Sequence, residues 1–258
     1  MLCNAFGVIN HFVNNALVLH PFSTPSPIAM KYGLLWLTMG LLLGVRAIVS
    51  SGWWLVCLWP AMNLTVLGIA YLGNWPWIFG KRPNGRLSFV PVVVFLPYLL
   101  YAWTIWRLTY FVRREHPYDI VTDQLDIGRR LLAQEMIDGI DNVIDLTCEF
   151  AEPTAICSAV NYVSCPILDG SIPTWPQLRR LIDEINECAG TTYIHCAQGH
   201  GRTGLVAAAL LMHRDPDLSP HDALRQLQAV RPALACNGGQ MAMLSVLKAQ
   251  IDADKPQL

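Results

Sequence analysis

Cys196 and Arg202 stand six residues apart in the run His195-Cys196-Ala197-Gln198-Gly199-His200-Gly201-Arg202-Thr203-Gly204. Two glycines between them let the chain curl, so that successive backbone N–H groups and the first turn of a following helix can aim at one anion. A cysteine at the centre of that cradle is expected to work as a thiolate, because the same dipoles stabilise the charged form. The guanidinium of Arg202 can hold two oxygens of a phosphate side by side. Residues Ala197, Gln198, Gly199, His200, Gly201 and Arg202 would together wrap the phosphate. The chemistry this implies is in-line attack by sulfur on a phosphate monoester. A cysteinyl-phosphate forms, an alcohol or phenol leaves, and water then hydrolyses the intermediate.

A departing oxygen needs a proton. Asp169, in Leu168-Asp169-Gly170-Ser171-Ile172-Pro173, is the candidate acid, since it follows a predicted buried strand and heads a Gly/Ser/Pro turn. Helix capping is the alternative for such an Asp. Asp145 and Glu149, near another strand end, are weaker candidates for the acid. The Thr203 hydroxyl can hydrogen-bond the sulfur as it leaves, or satisfy an N–H at the helix start. His195 reads as structural support for the loop rather than as a base. His200 can face an anionic substrate or solvent, and Arg231 can cap a helix or brace the loop from beneath. No cofactor and no metal is called for.

Several elements must position these groups. Apolar Tyr193 and Ile194 lead into Cys196, and Leu205 to Met212 follow Arg202, which predicts a strand, a tight loop and a helix. Ile120 to Ile127 predicts an edge strand, and residues 142–148 and 161–168 predict buried strands, the second delivering Asp169 to its end. Leu178, Leu181, Ile182 and Ile185 recur at helical spacing; further helices are expected from Pro220 to about Val230 and from about Gly239 to Ala253. Alternating strands and helices imply an α/β domain with a mostly parallel central sheet flanked by helices. Ligands of such sheets bind at the carboxyl ends of the strands, where Asp169 and Cys196 both fall.

The charge distribution divides the chain. All 19 acidic residues lie from Glu115 onward, whereas residues 1–114 carry only basic charge, at Lys31, Arg46, Lys81, Arg82, Arg86, Arg107, Arg113 and Arg114. An acid-free, tryptophan-rich part joined to an acidic one reads as a helical transmembrane region preceding a soluble domain. The expected organisation is an N-terminal extension (1–30), a membrane region with about three transmembrane helices (31–114) and a catalytic domain (115–258). Met30-Lys31 reads as a natural start, which would make residues 1–29 an upstream extension. The apolar runs are Leu34 to Val49, Trp53 to Leu72 and Phe89 to Trp106, and any one of them can instead be re-entrant. A run of about 20 residues can cross a hydrocarbon core of about 30 Å. With three alternating spans the basic residues fall four on each side, so charge does not orient the chain. The sequon at Asn63 falls mid-span and reads as coincidence. An acidic domain argues against nucleic acid as partner, and the six cysteines within that domain, without metal-ligand spacing, fit a reducing, cytoplasmic setting. A multi-pass membrane protein with a cytoplasmic catalytic domain is the expectation.

The His-Cys-x5-Arg-Thr run resembles the signature of the protein tyrosine and dual-specificity phosphatase superfamily. The Asp169…Ile172-Pro173-Thr174 segment, the Tyr193-to-Cys196 lead-in and the Ser219-Pro220…Ala223 helix start are most similar to the mitochondrial-type phosphatidylglycerophosphate phosphatase branch. The resemblance covers roughly residues 117–250. It implies that Cys196 is the nucleophile, Arg202 the phosphate ligand and Asp169 the acid. The Asp169-to-Pro173 turn is one residue shorter than in that branch, and the loop reads Ala-Gln-Gly-His-Gly where many relatives carry a Lys in its first half. The Gly-x-Gly-Arg-Thr-Gly ending is shared with lipid phosphatases of the tensin-homologue type and with protein phosphatases. Two substrate classes follow: a phospholipid headgroup at the bilayer, or phosphoproteins met by a membrane-tethered tyrosine or dual-specificity phosphatase.

Overall fold

The computed structural model describes residues 26–136 and 138–254. Nearly all of the expected N-terminal extension therefore lies outside the described residues, but its last few belong to the first helix. That helix, α1, spans Pro27–Ser50, with Pro at its first position and the Ser26 hydroxyl accepting from Ala29 N at 3.1 Å. A short 3₁₀ turn (Gly52–Cys57) reverses the chain into α2, Leu58–Gly73. The two helices pack through small residues. A Cβ on Gly40 would lie 2.5 Å from Thr65 Oγ1, and one on Gly68 would lie 2.5 Å from Leu37 N. Close backbone approach of this kind is the usual helix pairing where no water drives burial. The outward faces stay apolar, with Leu42, Ile48 and Val49 exposed.

Two helical stretches, Pro27–Ser50 and Gly52–Gly73, are long and apolar enough to cross a bilayer among the described residues. The third apolar run, expected as a span, is broken at Phe95 into α3 (Phe89–Val94) and α4 (Leu96–Arg113). Pro97 has no N–H to continue the ladder, so a break at this point follows from its chemistry. The Val94 carbonyl is taken up by side chains of α2, Trp59 Nε1 at 3.1 Å and Asn63 Nδ2 at 2.9 Å. The sequon asparagine is thus a buried structural donor.

The second half is the expected α/β domain. A five-stranded sheet has the order β1-β2-β5-β3-β4, with strands β1 Tyr118–Thr122, β2 Leu125–Arg129, β3 Asn142–Thr147, β4 Asn161–Ile167 and β5 Thr192–Cys196. All pairings are parallel except β1 with β2. The single edge strand expected over 120–127 is in fact this hairpin, folded at Asp123-Gln124. Helices α5 Thr154–Ala159, α6 Trp175–Glu187, α7 Gly201–Arg214, α8 Pro220–Val230 and α9 Gly238–Asp254 complete the domain. Central β5 is buried along its whole length, and α7 buries Leu205 to Met212 against it, which explains the unbroken apolar runs on both sides of the loop.

The two halves are joined by a buried charge. Lys81, from the turn after Phe79, reaches into the α/β domain. Its ammonium lies 2.6 Å from Asp145 Oδ2, with both side chains fully buried. It also donates to Thr147 Oγ1 at 3.2 Å and to the Phe150 carbonyl. Asp145 in turn accepts from Tyr162 OH at 2.7 Å and from Thr147 N at 2.8 Å, so both of its oxygens are engaged. Breaking such a pair from one side leaves an uncompensated buried charge, at a cost of ~3–5 kcal/mol. Lys81→Met is therefore expected to lower the thermal midpoint of the full chain in detergent micelles strongly, and adding Asp145→Leu should restore part of the loss. Equal midpoints for wild type and K81M would show that the charge is not anchored as described.

Candidate active site

The loop after β5 closes into a ring because its carbonyls face outward and find partners there. Ala197 O accepts from Trp106 Nε1 at 2.9 Å and from Arg130 N at 3.3 Å. Arg231 donates to Gln198 O at 3.1 Å and to Gly199 O at 2.9 Å, and Gly204 N donates to His200 O at 2.7 Å. Gly199 adopts φ +73°, and a Cβ there would lie 2.4 Å from the Gly128 backbone, so only glycine fits. On the inner side, Gly199 N donates to Cys196 Sγ at 3.3 Å. This is the inward N–H geometry that a thiolate or a phosphate oxygen requires.

Arg202 is buried at 2 % exposure with its fork already half committed. Glu149 grips it through Oε1 to Nη2 at 2.7 Å and Oε2 to Nη1 at 3.1 Å, and the Ile167 carbonyl takes Nη1 at 2.9 Å. Burial alone would pull the arginine pKa down, but Glu149, Asp169 and Cys196 push it up, so the cation is secure. Burial likewise would raise Glu149, yet Arg202 holds it below the usual carboxylate range. Arg202 Nε has no partner and is shielded from solvent. That orphan N–H, beside Nη2, is the side-by-side donor pair that a phosphate would use. Glu149 is thus the ion-pair partner of the arginine and not a candidate acid; Asp145, paired to Lys81, is likewise no acid.

Asp169 lies at the end of β4 on the open side. Its carboxylate is two-thirds exposed, with Oδ1 3.3 Å from Arg202 Nη2. Thr203 Oγ1 is buried with no hydrogen-bond partner, so the helix-capping alternative for it is not realised. His195 is fully buried behind the loop, its Nδ1 3.4 Å from Cys196 O, and its ring stacks on Tyr193. The His200 ring turns toward the chain after α4, with Nε2 2.7 Å from Glu115 Oε2. Arg231 both ends α8, through Arg231 N to Leu227 O at 2.9 Å, and braces the loop. Sequence reasoning does not find Glu149, Trp106 and Glu115 as partners of the loop. The contacts that reveal them span 53, 91 and 85 residues, and no local pattern encodes such distances.

Beneath the loop, Asp145, Glu152 and His195 approach within 4.8 Å of one another, with Lys81 on Asp145 and Arg130 Nε 3.3 Å from Glu152 Oε2. Burial and the nearby Asp145 charge push Glu152 up to about 8. Burial pulls His195 down to about 4. The thiols of Cys157, at about 11, and of Cys165 and Cys236, at about 12, are kept protonated chiefly by burial. None of those three competes as a nucleophile near neutrality.

Residues 128–250 match the family model of the dual specificity phosphatase catalytic domain. Among curated proteins, the chain is 31 % identical over 105 residues to the putative tyrosine phosphatase 197R of Invertebrate iridescent virus 6, covering 36 % of this chain and 39 % of that protein. It is 36 % identical over 69 residues to cyclin-dependent kinase inhibitor 3 of Homo sapiens, covering 26 % and 32 %. The chain thus spans about a third of the length of these curated relatives. Similar solved structures include PTPMT1 in complex with PI(5)P, at TM-score 0.49 and 17 % identity, covering 54 % of this chain and 98 % of that one. Human DUSP28 is similar at TM-score 0.46 and 18 % identity, covering 53 % and 99 %.

Glu152 gives the site a testable pH signature. Its folded pKa of about 8 lies above the unfolded value of about 4.3. Between those values the folded chain keeps a proton that the unfolded chain has lost, so stability declines as pH rises. Glu152→Gln removes that slope. Its thermal midpoint is expected to exceed that of the wild type at pH 8 and to match it near pH 5, as read by differential scanning fluorimetry; a uniform offset at both pH values would refute a protonated Glu152.

Proposed function

We propose that the chain, whose residues 128–250 make up a phosphoric monoester hydrolase domain of the dual-specificity phosphatase type, uses Cys196 as the nucleophile on a phospholipid headgroup at a membrane surface. For the chemistry, the supporting observation is the unpartnered, buried Arg202 Nε beside a thiol that already accepts an inward N–H. A phosphate seated there takes Nε and Nη2 of Arg202 together with the loop N–H groups. Sulfur attacks phosphorus in line, and the P–O bond to the headgroup breaks. Asp169, displaced from the arginine by the incoming phosphate, takes up a proton from solvent and passes it to the leaving oxygen. The same carboxylate then takes a proton from water as the P–S bond breaks, while the Thr203 hydroxyl donates to the departing thiolate.

One observation carries the lipid reading: the feet of the apolar hairpin stand on the acid loop. Ser26 Oγ donates to Gly170 O at 3.4 Å, Asn74 Nδ2 to Ile172 O at 2.9 Å, and Ser171 Oγ to Asn74 Oδ1 at 2.8 Å. Tyr32 lies against Gly170, one residue from Asp169. With α1 and α2 crossing a bilayer, the catalytic opening sits at the headgroup layer of the leaflet from which they start. A substrate confined to that layer is met at high effective concentration. The same arrangement bears on orientation. Lys81 is buried in the α/β domain, so Lys31, Lys81, Arg82, Arg86, Arg107, Arg113 and Arg114 share its side, while Arg46 lies toward the far turn. That excess of basic residues favours a cytoplasmic catalytic domain by the positive-inside tendency.

The deciding experiment offers phosphatidylglycerophosphate in mixed micelles and a phosphotyrosine peptide side by side to the full chain. The expected outcome is a kcat/KM at least about tenfold higher on the lipid, in line with a headgroup-level opening. Preference for the peptide would sink the lipid reading and leave a membrane-tethered protein phosphatase. Cys196→Ser should abolish turnover of both. Asp169→Asn should lower kcat on the lipid by ~10²–10⁴ and much less on nitrophenyl phosphate, whose acidic phenol can leave as its anion. Equal losses on both would show that Asp169 is not the acid.

A further inference from the structure

Helix α4 lies along the outer wall of the phosphate loop and touches it repeatedly. Trp106 Nε1 donates to Ala197 O at 2.9 Å, and Gln198 Nε2 donates to Thr109 Oγ1. Just past the helix, where Arg114 turns the backbone at φ 48°, Glu115 Oε2 meets His200 Nε2 at 2.7 Å and Arg231 Nη2 at 3.2 Å. Three of the five residues between Cys196 and Arg202 are therefore held from a segment that lies outside the matched residues 128–250.

We propose that Trp106 and Glu115 are positioning residues for the phosphate loop, so that α4 is part of the catalytic apparatus and not merely a tether. The inference rests on the reading of the loop as an anion cradle around Cys196. A peptide unit is planar, so the carbonyl of one residue and the N–H of the next point in opposite directions. Pinning Ala197 O outward aims the Gln198 N–H inward. Pinning Gln198 O and Gly199 O, through Arg231, aims the N–H groups of Gly199 and His200 inward in the same way. Trp106 performs the first of these tasks directly, with its ring buried against Phe150 at 5.8 Å between centroids. Glu115 performs the others indirectly, by holding the Arg231 fork under the loop. An acceptor-only carboxylate also fixes the neutral His200 with its proton on Nε2. Burial, joined by the charges of Arg231 and Arg113, lowers the His200 pKa against the pull of Glu115, which favours the neutral ring near pH 7. Neither residue touches a substrate in this arrangement; both set where the donors point.

Removing a direct oxyanion donor costs about 10²–10³ in kcat, and an indirect support should cost less. Trp106→Phe keeps an aromatic ring against Phe150 and removes only the N–H. In the full chain in detergent micelles, W106F is expected to lower kcat about tenfold with KM changed by less than about twofold. The rate at which iodoacetate alkylates Cys196 at pH 6, followed on the Cys196 peptide by mass spectrometry, should fall by a similar factor. The thermal midpoint should stay within a few degrees. Leu108→Ala, on the exposed face of the same helix, should change none of these. If W106F does not fold, Glu115→Gln reads the same alkylation rate and is expected to lower it. An unchanged alkylation rate in the folded variants overturns the proposal. That readout needs no substrate, so it decides this inference even if the lipid and peptide assays overturn the functional reading.

Discussion

A ring of inward-facing amides can exist only if the matching carbonyls are satisfied on the outside. Four consecutive carbonyls, from Ala197 to His200, turn away from the sulfur, and each must find a donor in a region with little water. The donors come from very different places in the chain: an indole on α4, a backbone N–H at the end of β2, a guanidinium at the end of α8 and the first turn of α7. The close approach of Gly199 to Gly128 follows from the same demand, since the loop has to settle on β2 for Arg130 N to reach Ala197 O. Once those partners are fixed, the inner surface offers donors and almost no acceptors. It is then selective for an anion without any residue contributing a base.

The charges beneath the loop are arranged so that only one of them is free to act. Lys81 and Asp145 neutralise each other, Glu149 is spent on Arg202, and Glu152 and His195 are held in their neutral forms by burial. A second free carboxylate near the ring would repel both the thiolate and the phosphate dianion. Asp169, on the solvent side, is the carboxylate left at the mouth, and its contact with Arg202 is the more exposed of the two that arginine makes with carboxylates. The division between sequestered and available charge comes from burial and pairing, not from residue type. Asp145 and Glu149 are as acidic as Asp169 in isolation, and their surroundings alone disqualify them.

Legibility in the sequence follows the range of each contact. Cys196, Arg202 and Thr203 share one loop, and the strand and helix around them are uninterrupted apolar runs, so local pattern alone places them. The position of Asp169 beside Arg202 is legible because a buried strand and a Gly-Ser turn bracket it. The α/β class follows from alternation, while the β1–β2 hairpin is hidden because Asp123-Gln124 carries no glycine to mark the turn. In sequence, Lys81 reads as one basic residue of a polar loop on the opposite side of a membrane, and Trp106 as the end of a third span. Both readings assign to solvent or lipid side chains that in fact cross into the other half. A buried lysine looks like any other in sequence until its partner is known, and Asp145 is 64 residues away. The signals present are indirect: a lysine in a turn of a segment with no acidic residue to pair it, and prolines that forbid one straight helix from Phe89 to Trp106.

The break at Phe95 has a consequence for how the two halves work together. A straight third helix would have run on alongside α2 and left the α/β domain joined to the apolar helices only through a linker. With the break, α3 stays short, α4 returns from the side of α2 and runs along the phosphate loop, and the chain reaches β1 with Glu115 already under Arg231. The hairpin feet at Ser26 and Asn74 hold the Asp169 loop, and α4 holds the Cys196 loop, so both loops are referenced to the apolar helices. Relative motion of α4 and the α1–α2 hairpin would therefore change the distance between Asp169 and Cys196 more readily than motion within the sheet, where β2 residues 125–129 pair in parallel with β5 residues 192–196. Geometry of this kind makes the apolar region a frame for both loops.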